Sequence, residues 1–217
     1  MMRRHCIFNH RRELATLPCL LAIFSAASAS SGTQEKLIWQ EDVSHVKIPQ
    51  FGAKGMVGSK SFTVTRALIH DLVFAGSAKA SGYKLWKLEL TAKDGTPGAE
   101  FDIAVAPGTK LDRKVVWQSG MNKHSAAVES GSGDRKVSYP PFQAIWLHGE
   151  RDKNFTLMSV FKMLGVTHYS VRIEFGHTVG MILPGKIYFC GQADDFWKAP
   201  KSVIEGQFFA KILPSGK

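Results

Sequence analysis

The sequence predicts an all-β protein, an antiparallel β-sandwich (jelly-roll-like or Ig-like) with at most one short helix. Three observations carry the prediction. Apolar and polar residues alternate over short runs, the period of a strand with one buried face. Turn chemistry separates the runs, at Asp94-Gly95, Pro97-Gly98, Pro107-Gly108, Gly131-Ser132-Gly133 and Pro184-Gly185. Helical periodicity is nearly absent, and many short strands with Gly/Pro turns mean a sandwich or an open barrel.

The first element is an address rather than part of the fold. Arg3, Arg4, Arg11 and Arg12 form a basic head, Leu14–Phe24 an apolar middle, and Ser25–Ser31 a tail of small residues. This is the pattern of a secretory signal peptide over residues 1–29, cut after Ala27-Ser28-Ala29. Its removal would take four arginines and Glu13, so a formal net charge of +10 becomes +7. Cys6 and Cys19 would leave with it, so the mature domain, residues 30–217, keeps only Cys190 and no internal disulfide. A domain of that length buries roughly 70% of its unfolded surface and is held by its core.

Strands are expected at Leu37–Trp39 and His45–Ile48. Gly52, Gly55 and Gly58 before Ser59-Lys60-Ser61 hint at a phosphate loop, but Ser59 stands where a P-loop needs glycine. The expected structure there is a loop entering a strand at Phe62. Further strands are expected at Phe62–Ile69, Leu72–Phe74, Trp86–Leu90, Phe101–Val105 and Val115–Trp117. Met121–Lys136, rich in Ser, Gly, Lys and His, reads as a long loop, and Phe142–Leu147 as a strand. Leu157, Val160, Phe161 and Leu164 then fall on one helical face, with Asn154 able to cap and Gly165 able to end it. A short helix is favoured there over a strand from Phe155. Tyr169–Phe175, Lys186–Cys190 and Val203–Lys211 complete the strands.

Catalytic motifs are missing or incomplete. Ser130-Gly131-Ser132-Gly133 lacks the leading glycine of a nucleophile elbow. No histidine pair has zincin spacing; His148, His168 and His177 could meet across strands, but strand-end positions without a metal are the simpler reading. Cys190, on an apolar run, reads as a buried small hydrophobe. Glu100 and Asp102 lie two apart on a strand and so share a face, as the two acids of a glycosidase must. A solvated outer face is the plainer expectation. No catalytic residue, metal or cofactor is therefore assigned.

Binding chemistry is better represented. Asp194-Asp195-Phe196-Trp197-Lys198 places two acids, an aromatic ring and a cation in one inter-strand loop. Trp197, Asp194, Asp195 and Lys198 are the expected ligand-binding residues, because sugar C–H groups stack on exposed rings. Trp86 falls in an apolar register and reads as core. The basic residues are mostly Lys and are spread along the chain, without the concentrated Arg/Lys element of a nucleic-acid reader. A polysaccharide or anionic envelope polymer suits them better. No apolar run reaches 18 residues, so no spanning helix is expected. Asn154-Phe155-Thr156 is a glycosylation sequon.

Two stretches near the C-terminus, Leu183-Pro184-Gly185-Lys186-Ile187-Tyr188-Phe189-Cys190 and Lys201–Ala210, resemble the closing strands of secreted bacterial β-sandwich domains of unknown function. Gly58 and Phe62 resemble their opening strand. The resemblance covers two ends of the mature chain, implies export and an antiparallel sandwich, and carries no catalytic residue. The sequence thus points to a secreted or periplasmic binding or structural module of the cell envelope, with carbohydrate among its candidate ligands. The alternatives are an extracytoplasmic hydrolase on the same scaffold and an envelope assembly subunit. The oligomeric state is left open.

Overall fold

The alternating runs form strands in the computed structural model, which describes residues 40, 42–72, 84–106, 108–119, 124–125, 128–130, 137–139, 141–150, 153–158, 168–193 and 201–214. These residues belong to one unit, Leu37–Lys217. The strands are β1 (Lys54–Val57), β2 (Lys60–Thr63), β3 (Arg66–Leu72), β4 (Lys84–Thr91), β5 (Gly98–Val105), β6 (Val115–Ser119) and β7 (His124–Ser125). They continue as β8 (Val128–Ser130), β9 (Val137–Tyr139), β10 (Phe142–Glu150), β11 (Lys153–Met158), β12 (Tyr169–Phe175), β13 (Ile182–Gly191) and β14 (Ser202–Ile212). The described residues contain no helix.

Twelve strands form one sheet, in the order β11-β10-β5-β4-β3-β14-β13-β12-β6-β7, with β1 paired to β14 and β2 paired to β1. β8 and β9 form a separate hairpin. The all-β expectation holds. The sheet is mixed, however: β14 runs parallel to β3, pairing Lys211 with Leu68 and Ile212 with Ile69. It is also barrel-like. β10 and β6 stand near opposite ends of the strand order, yet Gln118 on β6 accepts the Phe142 backbone N–H of β10 at 3.1 Å. The same side chain donates from Nε2 to the Tyr169 hydroxyl of β12 at 2.7 Å.

Alternation explains which side chains fill the interior. Leu88 and Leu90 of β4, Phe101 and Ile103 of β5, and Val171 and Ile173 of β12 are fully buried. Phe101 meets Phe142 edge-on at 6.3 Å between ring centroids and Phe189 of β13 at 5.6 Å. β5 and β13 lie four places apart in the strand order, so the second contact crosses the interior. Such aromatic pairs contribute about 0.5–1.5 kcal/mol beyond their buried area.

Several expectations are corrected. The helix favoured over Asn154–Gly165 gives way to strand β11 at Lys153–Met158, which pairs with β10 from Asn154↔His148 to Met158↔Ala144; ladder pairing overrides the local 3.6-residue spacing. Residues 159–165 lie outside the described residues. His45–Ile48 is irregular rather than a strand; Val43 and Ile48 pack instead with Tyr188 and Cys190 in a second small cluster on the outer side of β13. The run Phe62–Ile69 is broken into β2 and β3, where Val64 N bonds Ala53 O and Thr65 N bonds Thr91 O. The expected loop before Phe62 is the β1–β2 hairpin, turning at Gly58 with φ 61°. The expected long loop over 121–136 contains β7 and β8. The address segment, Leu37–Trp39 and Val73–Phe74 lie outside the described residues.

Candidate functional site

Two places bring chemistry-bearing side chains together. The first is on the outer face of β4, β5 and β10. The register sets Lys87 opposite Asp102, and Glu100 opposite Trp146. Glu100 and Asp102 do share a face, as their spacing predicts. Lys87 Nζ reaches Glu100 Oε2 at 2.6 Å and Asp102 Oδ1 at 3.3 Å. His148 Nε2 lies 2.8 Å from Glu100 Oε1. The Lys87 ammonium also stands 5.9 Å from the Trp146 ring centroid.

The two acids are driven apart electrostatically. The His148 hydrogen bond, helped by Lys87 against burial, holds the Glu100 carboxyl at about 2. Burial pushes the Asp102 carboxyl up despite the pull of Lys87. Burial opposes the Lys87 ammonium too, but the Glu100 hydrogen bond and the charge of both acids raise its pKa overall. The cluster is an ion-pair network in which each charge has a partner. A glycosidase pair needs open space between its acids for a glycosidic oxygen or water. Here an ammonium bridges them.

The second place is a cavity of about 550 Å³ at one end of the barrel. It lies where β4 begins, β14 ends, the β5–β6 loop crosses and the β12–β13 hairpin turns. Trp86, Leu111, Leu183 and Ile212 give it apolar walls, and Lys84, Lys110, Asp112, His177, Thr109 and Thr178 give it polar ones. Trp86 packs against the core, as its register predicts, and its buried indole Nε1 has no hydrogen-bond partner among the described residues. Asp112 accepts the Thr178 backbone N–H and lies 3.3 Å from His177 Nδ1. The Thr178 backbone hydrogen bond, above all, holds this carboxyl at about 2, with His177 adding to it. Asp112, on the β5–β6 loop, is therefore ionised and committed to the β12–β13 hairpin, with Arg113 a further 3.9 Å neighbour. Among the described residues Lys84 and Lys110 form no ion pair, so they set the sign of the remaining charge.

The sequence-predicted residues fall out differently. Trp197, Asp194, Asp195 and Lys198 lie outside the described residues, as does Trp39. His148 and His177 bind different carboxylates, Glu100 and Asp112, and do not converge; His168 is exposed ahead of β12. No group of three or more His, Cys, Asp or Glu that could hold a metal occurs among the described residues. Cys190 is 1% exposed, and burial pushes its thiol up, so it packs as a small apolar side chain. No described helix is long and apolar enough to cross a membrane. Sequence reasoning missed Asp112, Lys110 and Thr178, and missed the part Trp86 plays in walling a cavity. Only the Pro107-Gly108 turn hinted that a loop begins there, and nothing local showed which strand ends it would meet. The chain matches no protein-family model, no curated protein and no solved structure.

Proposed function

We propose that this protein is a non-enzymatic binding module that works outside the cytoplasm and holds a small ligand in its barrel-end cavity. The ligand has an apolar face and an anionic group. The cavity carries the reading: about 550 Å³ lies within the roughly 300–1,000 Å³ of small-molecule sites, and apolar walls with a few polar groups are their usual make-up. Trp86 offers an apolar indole wall, and Lys84 and Lys110 attract the charge. An acidic sugar stacked on an aromatic ring and a short alkyl carboxylate share this chemistry. Export rests on the basic, apolar and small-residue order of residues 1–29.

The test is titration of the full chain with galacturonate, glucose and octanoate, read by tryptophan fluorescence. Saturable binding of galacturonate supports an acidic-sugar ligand, and of octanoate an amphiphile. The Lys84→Ala/Lys110→Ala variant should weaken either about tenfold, the size of one lost charge-assisted contact. Equal binding of glucose, or no response to any probe, overturns the reading.

An extracytoplasmic hydrolase built on Glu100 and Asp102 is the second reading, favoured by the opposite shifts of the two carboxyls. The Lys87 bridge argues against it. Release of reducing ends from a polysaccharide panel, abolished by Glu100→Gln, would reinstate it.

A further inference from the structure

Six large apolar side chains are exposed among the described residues: Phe51, Val115, Val179, Met181, Ile182 and Phe209. They are not scattered. Ile182 and Phe209 lie on the outer face of the β13–β14 pair, where Ile182 opposes Lys211 and Pro184 opposes Phe209. Val115 opposes Glu174 on the same wall, and the Phe51 carbonyl accepts the Gln207 N–H two residues from Phe209. Val179 and Met181 form the tip of the β12–β13 hairpin. Val179 and Ile182 exchange both backbone hydrogen bonds around Gly180-Met181, and Gly180 at φ 57° supplies the positive dihedral that so tight a turn needs. Val179 is 69% exposed and Phe209 67%.

Half of this wall is covered. Val43 and Ile48 pack over Tyr188 and Cys190, and Arg172 donates to the Ser44 carbonyl. The half toward the hairpin tip has no such cover among the described residues. Cations surround it. Lys211 is the register partner of Ile182. The Arg113 N–H bonds the Gly176 carbonyl, and the Lys114 carbonyl accepts the Phe175 N–H. Lys110 lines the cavity beside the hairpin residues His177 and Thr178. The two nearby acids are engaged, Glu174 by Arg172 at 2.9 Å and Asp112 by Thr178 and His177.

We infer that the β12–β13 hairpin tip docks on an anionic lipid surface, with Val179, Met181, Ile182 and Phe209 entering the interface and the surrounding Lys and Arg facing the headgroups. Apolar side chains on an exposed tight turn give partial insertion, and a cationic rim gives attraction that salt weakens. A second copy of this wall would bring the same cations together, so charge favours the bilayer over a self-complementary dimer. Whether the cavity is occupied does not enter.

The test is co-sedimentation of the full chain with vesicles of phosphatidylcholine alone or mixed with phosphatidylglycerol. Residues 1–29 are common to every variant, so the difference between variants reads the tip. Val179→Asp/Met181→Asp should lower partition into the anionic vesicles at least about tenfold, the factor for losing burial of one such side chain. Met181→Trp should show fluorescence quenched by bromine-labelled acyl chains. Both substitutions lie on an exposed turn, and far-ultraviolet circular dichroism checks that the sheet persists. Undiminished partition of the Asp variant overturns the inference, as does unquenched fluorescence from the Met181→Trp variant. Concentration-dependent self-association without vesicle binding also overturns it, and assigns the wall to a second copy.

Discussion

The Gln118 side-chain carbonyl accepts the backbone N–H of Phe142 at 3.1 Å, across strands that stand near opposite ends of the sheet order. This buried amide thus ties β6 to β10 across the seam. Its other end holds the Tyr169 hydroxyl.

Gln118→Leu removes both bonds while keeping most of the volume. Each buried hydrogen bond contributes about 1 kcal/mol net, and leaving its partners without it costs more. The variant should lose about 2–3 kcal/mol in urea unfolding. Hydrogen exchange of the Phe142 amide should accelerate more than that of amides in β13.

Acid sensitivity should run largely through Glu100, with Asp112, also held at about 2, adding in the same direction. The Glu100 carboxyl, ordinarily near 4.5, is held at about 2, mainly by His148. A carboxyl whose folded pKa is depressed stabilises the fold above its unfolded value and loses that contribution as pH falls through the folded value. Stability should therefore decline between about pH 4.5 and pH 2, by on the order of 2 kcal/mol after allowing for solvent screening of a partly exposed pair. Glu100→Gln should flatten this limb in pH-dependent urea melts. Asp102, whose carboxyl is pushed up, works in the opposite sense and makes the observed limb shallower.

Lys87→Met should raise the titration midpoints of both Glu100 and Asp102, because it removes the ammonium 2.6 Å from one and 3.3 Å from the other. Carboxyl NMR titration reads this directly. Breaking a buried or half-buried pair by removing one partner costs about 3–5 kcal/mol when the other stays charged. Asp102 should therefore take up a proton at higher pH than in the wild type.

Gly206→Ala tests a close approach of two backbones. Gly206 has φ 118°, and an added Cβ would stand 2.7 Å from the Phe51 carbonyl oxygen and 2.9 Å from Ala53 Cα. Neither atom can swing aside as a side-chain end would. The variant should lose about 1–3 kcal/mol. The segment Phe51–Ala53 should become more open to proteolysis.

The strands were legible where one face alone is buried. Tyr169–Phe175 and Trp86–Leu90 show the alternation plainly, because each puts charged residues outward and apolar ones inward. Lys54–Val57 was not legible: it is short, carries two small or polar residues in four, and becomes a strand through β14 and β2 rather than its own pattern. Lys153–Met158 misled for the same reason, since β10 supplies the ladder that decides it. The shared face of Glu100 and Asp102 followed from their spacing, but Lys87 lies 13 residues before Glu100 and His148 48 after. The cavity joins residues from Lys84 to Ile212, and only closure of the sheet brings them together.

The pairing of β14 with β3 has a bearing on when the fold can form. β14 touches β13, β1 and, through Lys211 and Ile212, β3. β14, the most C-terminal strand among the described residues, is thus central to the sheet. Until Ser202–Glu205 have been made, β1 lacks one neighbour, and until Lys211 and Ile212 follow, β3 pairs among the described residues only with β4. Native closure has to await Ile212, at the loop-closure cost of long-range contacts. A nascent chain shortened before Ser202 should therefore remain open and sensitive to protease, however much of its sequence is already present.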